Sequence, residues 1–152
     1  MKRSAAKRAR RHKSLTFYVD ECLGRFVAEA LTADGFDARP YYDHFAGMKD
    51  VEWLPQVGAN QWILLTKDKN IRRRRLEVDA ILNSGVRAFV VTAVGLHRED
   101  LAKLVLSAMP KIQRICQQRG PFVFNITASG AVSQISNRKL RRRASKGRTT
   151  SR

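Results

Sequence analysis

The sequence predicts an α/β domain built on a mostly parallel sheet, and three observations predict it. Short apolar runs of strand length, at residues 15–19, 62–66, 87–91 and 122–126, alternate with longer stretches of helical periodicity. The run around Trp62-Ile63-Leu64-Leu65 is apolar at consecutive positions, as in strands covered on both faces. Two of the runs stop abruptly in acid-bearing segments: Val19 gives way to Asp20-Glu21, and Leu65 to Thr66-Lys67-Asp68. The carboxyl ends of such strands are where a doubly wound sheet opens its ligand crevice. At 152 residues the chain is long enough for one domain with a core and too short for two.

Each element follows from local pattern. Residues 1–13 are a polar arm without periodicity. Leu15-Thr16-Phe17-Tyr18-Val19, rich in β-branched and aromatic side chains, is the first strand. Over 23–34, Leu23, Phe26, Val27, Ala30 and Leu31 recur at spacings of three and four and share one helical face, and Gly35 supplies a left-handed cap. Phe36-Asp37-Ala38-Arg39 is a weak second strand stopped by Pro40. Residues 41–49 form a loop pivoting on Gly47. A short helix over 51–60 then turns Val51, Leu54, Val57 and Gly58 toward the sheet. Pro55 fits only a first turn, which moves the regular part of that helix toward Trp53. After the strand at 62–66, a helix over 72–84 with Val78, Ile81 and Leu82 inside closes at Gly85, and the fourth strand follows at 87–91. The clearest helix, 98–118, carries the stripe Leu101, Leu104, Val105, Ala108, Ile112, Ile115 and Cys116, bent near Pro110. Gly120-Pro121 turns into a fifth strand at 122–126, and everything beyond is polar and basic.

The net charge of +17 is unevenly placed. Residues 1–13 hold seven Lys or Arg and no acid, and residues 138–152 hold eight and no acid, which leaves fifteen bases against all thirteen acids between them. The pattern is a near-neutral body, 14–137, with two disordered cationic arms, 1–13 and 138–152, suited to a polyanion such as RNA. No apolar run approaches the length of a membrane span and no signal-peptide stretch opens the chain, so no membrane partner and a cytoplasmic location are expected. Two cysteines, Cys22 and Cys116, make neither a disulfide framework nor a metal spacing, and His12, His44 and His97 suggest neither zinc nor a triad.

The acids carry the chemistry. In a parallel sheet Asp20 and Asp68 reach one edge from different strands, and Asp50 and Glu52 arrive there from the approach to the short helix. Several carboxylates without His or Cys make an oxygen site for a hard cation, Mg²⁺ or Mn²⁺. They cannot gather ionised unless a cation joins them or some take up protons. Such a site polarises a phosphodiester and activates water. Each acid also has a structural role open to it: Asp20 as a helix cap, Glu21 as a first-turn charge, Asp50 as an N-cap, Asp68 in an Asx turn with Asn70. Asp50 and Glu52, two apart, do not share a helix face, and Glu52 is the favoured ligand of the two. The tract Arg72-Arg73-Arg74-Arg75 opposes a helix macrodipole at local cost, and is open either to phosphate binding by Arg72, Arg73 and Arg74 together with Lys69 or to a solvated charged face. Tyr41, Tyr42, His44, Phe45 and Trp53 are open to either base stacking or core packing.

At Asp20-Glu21-Cys22-Leu23, Asp50-Val51-Glu52-Trp53 and Thr66-Lys67-Asp68 the sequence resembles a PIN-like domain, and within it the branch that includes VapC-type toxin ribonucleases. The resemblance covers about residues 16–94, including the approach Gly85-Val86-Arg87 to the fourth strand. It implies a three-layer α/β/α domain with an acidic pocket that binds Mg²⁺ or Mn²⁺. It further implies hydrolysis of RNA to a 5′-phosphate and a 3′-hydroxyl, and a cognate antitoxin as protein partner, with a homo-oligomer left open. It carries over Asp20, Glu52 and Asp68 as catalytic residues, Asp50 as a further metal ligand, and Thr66 and Lys67 as supporting groups. The family's usual acid near the final strand has no counterpart there; Asp50, Glu77 and Asp79 are the substitutes on offer. Two other classes fit less well. A non-catalytic RNA- or protein-binding module would keep the fold without turnover. A response-regulator receiver shares the Val19-Asp20-Glu21 opening, but here Thr66-Lys67 separates Asp68 from its strand and Lys69-Asn70 follows it in place of Met-Pro.

Overall fold

The apolar runs become parallel strands in a computed structural model that describes residues 15–149, with side chains through Ser145. They are β1 (Thr16–Val19), β2 (Asp37–Pro40), β3 (Ile63–Thr66), β4 (Arg87–Val91) and β5 (Phe122–Ile126). Their order in the sheet is β2-β1-β3-β4-β5, all parallel. The edge beyond β5 is taken by β6 (Val132–Ile135), which runs antiparallel.

Side chains leave a strand alternately to its two faces, and here both faces are covered. Phe17, Val19, Ile63, Leu65, Phe89 and Val91 enter one core with Val27 and Leu31 of α1 (Arg25–Ala33) and Leu101, Val105 and Ile112 of α4 (Arg98–Ile115). Tyr18, Leu64, Ala88 and Val90 enter the other core. There they meet Leu54 and Val57 of α2 (Asp50–Ala59), Val78 and Ile81 of α3 (Arg75–Ser84) and Leu140 of α5 (Asn137–Thr149). The result is the expected three-layer α/β/α domain with a mostly parallel sheet. Among the described residues no helix is long and apolar enough to cross a membrane.

Four expectations are corrected. The first concerns the basic tail. Residues from 138 onward are not a loose tail as far as Thr149, because α5 occupies them and buries Leu140 and Ala144. Only those two apolar positions, four apart, signal the packed face among so many bases. The arm at 1–13 lies outside the described residues.

Second, β6 is absent from the predicted elements, since only its end residue Ile135 is buried and no alternation marks it. Third, α2 begins at Asp50 and keeps Pro55 in its interior, not in a first turn. Pro55 is exposed, so water can serve the carbonyl its missing N–H would have met. Fourth, helix starts are later than predicted where 3₁₀ turns intervene, at Glu21–Leu23 before α1 and at Lys69–Arg72 before α3, and α4 ends at Ile115.

The packing of α2 on α3 turns on Gly58. A methyl at that position would lie 2.2 Å from the carbonyl oxygen of Ser84. Alanine is the better helix former by about 1 kcal/mol, yet Gly58→Ala should destabilise the domain, because backbone cannot yield as a side-chain tip does. Urea denaturation should show a lowered midpoint; a raised midpoint would refute the close approach.

Candidate active site

The strand order reverses between β1 and β3, so their connections leave in opposite directions and a crevice opens at their carboxyl ends. The register sets Val19 beside Leu65, which places Asp20 level with Thr66. The Asp20 N–H continues the ladder by donating to the Leu65 carbonyl at 3.0 Å. Thr66 is fully buried and is the single buried polar side chain among the described residues. Its hydroxyl donates to Asp20 Oδ2 at 2.8 Å and accepts from the Asp68 N–H at 3.1 Å. One hydroxyl thus ties the two acid-bearing strand ends together. Asp20 Oδ1 accepts from the Glu21 N–H at 2.8 Å, starting the 3₁₀ turn, and Asp68 Oδ1 accepts from the Asn70 N–H at 2.9 Å. Both carboxylates are therefore held in place by their own local turns.

Asp50 joins them from the first turn of α2. It is not the cap, since Lys49 precedes the helix, and its Oδ1 accepts from Trp53 Nε1 at 3.0 Å. Its carboxyl is pushed above the ordinary Asp range, first by burial and then by the charge of Asp20, with smaller contributions from Asp68 and Glu77; the Trp53 bond works the other way. Four carboxylates from four segments, Asp20, Asp50, Asp68 and Glu77, thus share one field. Glu77, on the first turn of α3, keeps only 12% of its side chain exposed, 4.0 Å from the Arg74 guanidinium. Glu52 does not converge with them: it is exposed, and its Oε2 takes the Lys49 N–H at 3.4 Å. Of the three substitutes for the family's missing acid, Asp50 feels the charges of Asp20 and Asp68, Glu77 contributes more weakly at Asp50, and Asp79 lies 4.0 Å from Arg75.

Cys22 forms part of the crevice wall, a role the sequence does not signal. Although the residue as a whole is exposed, its sulfur turns inward, accepting from the Lys67 N–H at 3.1 Å and lying 3.2 Å from Thr66 Oγ1 and 3.4 Å from Asp20 Oδ2. Burial, followed by the charge of Asp20, pushes its thiol up to about 11, so it stays protonated near neutral pH. Beside the acids, Lys69 and Arg72 lie in the 3₁₀ turn that follows Asp68, and Arg73 and Arg74 are exposed. The aromatic residues divide. Trp53 is core, packed on Tyr18 at 5.2 Å between ring centres, whereas Tyr42 is exposed under the Arg25 guanidinium at 4.3 Å.

A family model described as PIN like domain matches residues 15–93, the segment that supplies all four carboxylates. The chain belongs to the PIN-like domain family. A relative of this PIN-like chain, "Putative ribonuclease VapC45" of Mycobacterium tuberculosis (strain ATCC 25618 / H37Rv), is 28% identical over 121 residues, covering 76% of this chain and 88% of the relative. No solved structure matches the chain. The PIN-like match ends at Ala93, so α4, β5, β6 and α5 lie outside it.

The raised proton affinity of Asp50 fixes the sign of a pH effect. An acid that binds its proton more tightly in the folded than in the unfolded chain costs stability as pH rises through its folded-state value, and costs nothing below the unfolded value of about 3.9. Asp50→Asn still accepts from Trp53 but carries no charge. In EDTA at neutral pH its melting temperature should exceed that of the wild type, and the gap should vanish as pH falls toward about 3. A variant that melts lower at neutral pH would contradict the electrostatic crowding.

Proposed function

We propose that the chain is a metal-dependent endoribonuclease that cleaves single-stranded RNA and acts as the toxin of a toxin–antitoxin pair. The observation that carries this reading is that Thr66 holds Asp20 and Asp68 side by side where the strand order reverses, with Asp50 near enough to feel both charges, in a PIN-like domain. The ribonuclease named among its relatives supports the choice of substrate.

The residues present suit a hard cation. The donors are carboxylate oxygens, and the neighbouring Cys22 sulfur is engaged by Thr66 and the Lys67 N–H. Burial and the charge of Asp20 both disfavour an ionised Asp50, and a cation offsets both. Among the described residues no three His, Cys, Asp or Glu side chains stand close enough to enclose an ion. Mg²⁺ keeps several of its waters and needs no closed protein cage, so carboxylates set further apart would share it through those waters. Asp20, Asp50 and Asp68 would hold Mg²⁺ or Mn²⁺, which when bound polarises the scissile phosphodiester and activates water.

The chain's own residues set the geometry. Thr66 and the two local turns keep Asp20 and Asp68 from rotating away, Glu77 adds negative charge behind Asp50, and the Lys67 backbone closes the wall through Cys22. Lys69, Arg72, Arg73 and Arg74 flank the crevice and would hold RNA phosphates on either side of the reacting one. Water adds to phosphorus and the bond to O3′ breaks, leaving a 5′-phosphate and a 3′-hydroxyl. An antitoxin that inserts an Arg or Lys among these carboxylates would displace metal and RNA together.

The sequence favours Glu52 over Asp50 as a ligand; the geometry supports the reverse order. RNA cleavage in Mn²⁺ should fall at least about 100-fold in Asp20→Asn, Asp50→Asn and Asp68→Asn, since each removes a charged group from the metal site. Glu52→Gln should stay within a few-fold of wild type. Full turnover in folded Asp68→Asn would refute the proposed site.

A further inference from the structure

The basic C-terminal helix is seated beside the acidic crevice, and its packing fixes which bases face where. Leu140 and Ala144, one turn apart, are buried in the core that α5 shares with α3. This sets the rotation of the helix, leaving Arg138, Lys139, Arg141 and Arg142 exposed and Arg143 half-buried. Arg143 Nη1 donates to the backbone carbonyl of Arg72, the last residue of the 3₁₀ turn that follows Asp68. The helix is therefore latched to the segment that carries a site carboxylate.

The corner where they meet has too much positive charge for its own needs. Arg72 spends Nη1 on Asn125 Oδ1 at 3.1 Å, at the end of β5, but its Nε is buried without a partner. Burial first, then the neighbouring charges of Arg73 and Arg143, depress its proton affinity. Among the described residues none of these three guanidiniums forms an ion pair. Crowded like charges with a buried donor unmet are costly as they stand, and an anion at the corner would relieve the crowding.

We propose that α5 and the Arg72–Arg73 corner form one continuous phosphate-binding lane that seats the backbone of single-stranded RNA as it passes the acidic crevice. The identity of that crevice rests on the nuclease reading above. Charge complementarity selects the occupant. The outward row of α5 through Arg142 is acid-free and carries no apolar anchor, whereas a protein interface centres on buried apolar or aromatic contacts. Phosphates require only the cations, and arginine forks engage them two bonds at a time.

The test uses the full chain carrying Asp68→Asn, in EDTA, so that binding is read without turnover. Anisotropy of a labelled single-stranded oligoribonucleotide is followed against salt for three proteins. One carries no further change, one carries Arg138→Gln, Arg141→Gln and Arg142→Gln, and a control carries Lys103→Gln, Lys111→Gln and Arg114→Gln on the exposed side of α4. Each phosphate that the protein no longer neutralises flattens the log–log salt slope by about 0.7. The α5 variant should flatten it by about 2 and bind at least about 10-fold more weakly at moderate salt, with the α4 control unchanged. Equal slopes for all three proteins, or equal losses in the two triple variants, would overturn the lane. So would release of a co-purifying acidic protein with RNA affinity intact. A wild-type chain that binds RNA through α5 but cleaves none would refute the nuclease reading and leave the lane standing.

Discussion

The two acid-bearing strand ends at the crevice depend on the Thr66 hydroxyl. β1 and β3 are neighbours at the reversal of strand order, so their ends diverge, and nothing in the sheet hydrogen bonding continues past Asp20 to hold them together. The buried hydroxyl does so, giving its one proton to Asp20 and receiving the Asp68 N–H. An apolar residue of the same size would fill the same space, leave the Asp68 N–H unmet and leave Asp20 Oδ2 with only the weak Cys22 thiol donor. The same group also orders Cys22, whose sulfur packs against it and takes the next N–H along, that of Lys67. A single side chain thus ties Asp20 to Asp68, while Asp50 is placed by the start of α2 and its bond from Trp53.

That placement works against folding. Carboxylates drawn into one field repel, and at Asp50 burial, followed by the charge of Asp20, raises the proton affinity. Arginines crowd in the same way a short distance on, around Arg72. The domain places surplus negative charge beside surplus positive charge and keeps most of each set unpaired, which is the distribution expected of a surface that awaits a cation and a phosphate backbone. The large apolar cores on both faces of the sheet supply the stability that this arrangement consumes.

Much of this was legible in the sequence because strand ends are local features. Consecutive apolar residues stopping at Asp20 and at Thr66-Lys67-Asp68 locate both the sheet and the edge that bears the site. What was not legible depends on partners distant in the chain. The choice between Asp50 and Glu52 follows from the start of α2, and an N-cap at Lys49 turns Asp50 inward and Glu52 out. Cys22 looks inert until Thr66 and Lys67 are brought 44 and 45 residues back to it. The helical state of the basic tail rests on Leu140 and Ala144 finding a core built by earlier segments, and composition alone argues for a solvated arm.

The central claim is that Asp20, Asp50 and Asp68 form the cation site while Glu52 stands outside it. Calorimetric titration of Mn²⁺ into the full-length protein without RNA tests this directly. Wild type and Glu52→Gln should bind with the same affinity, and Asp50→Asn should bind at least about 10-fold more weakly, as expected when a charged ligand is removed. Binding weakened by Glu52→Gln and left intact in Asp50→Asn would contradict the account.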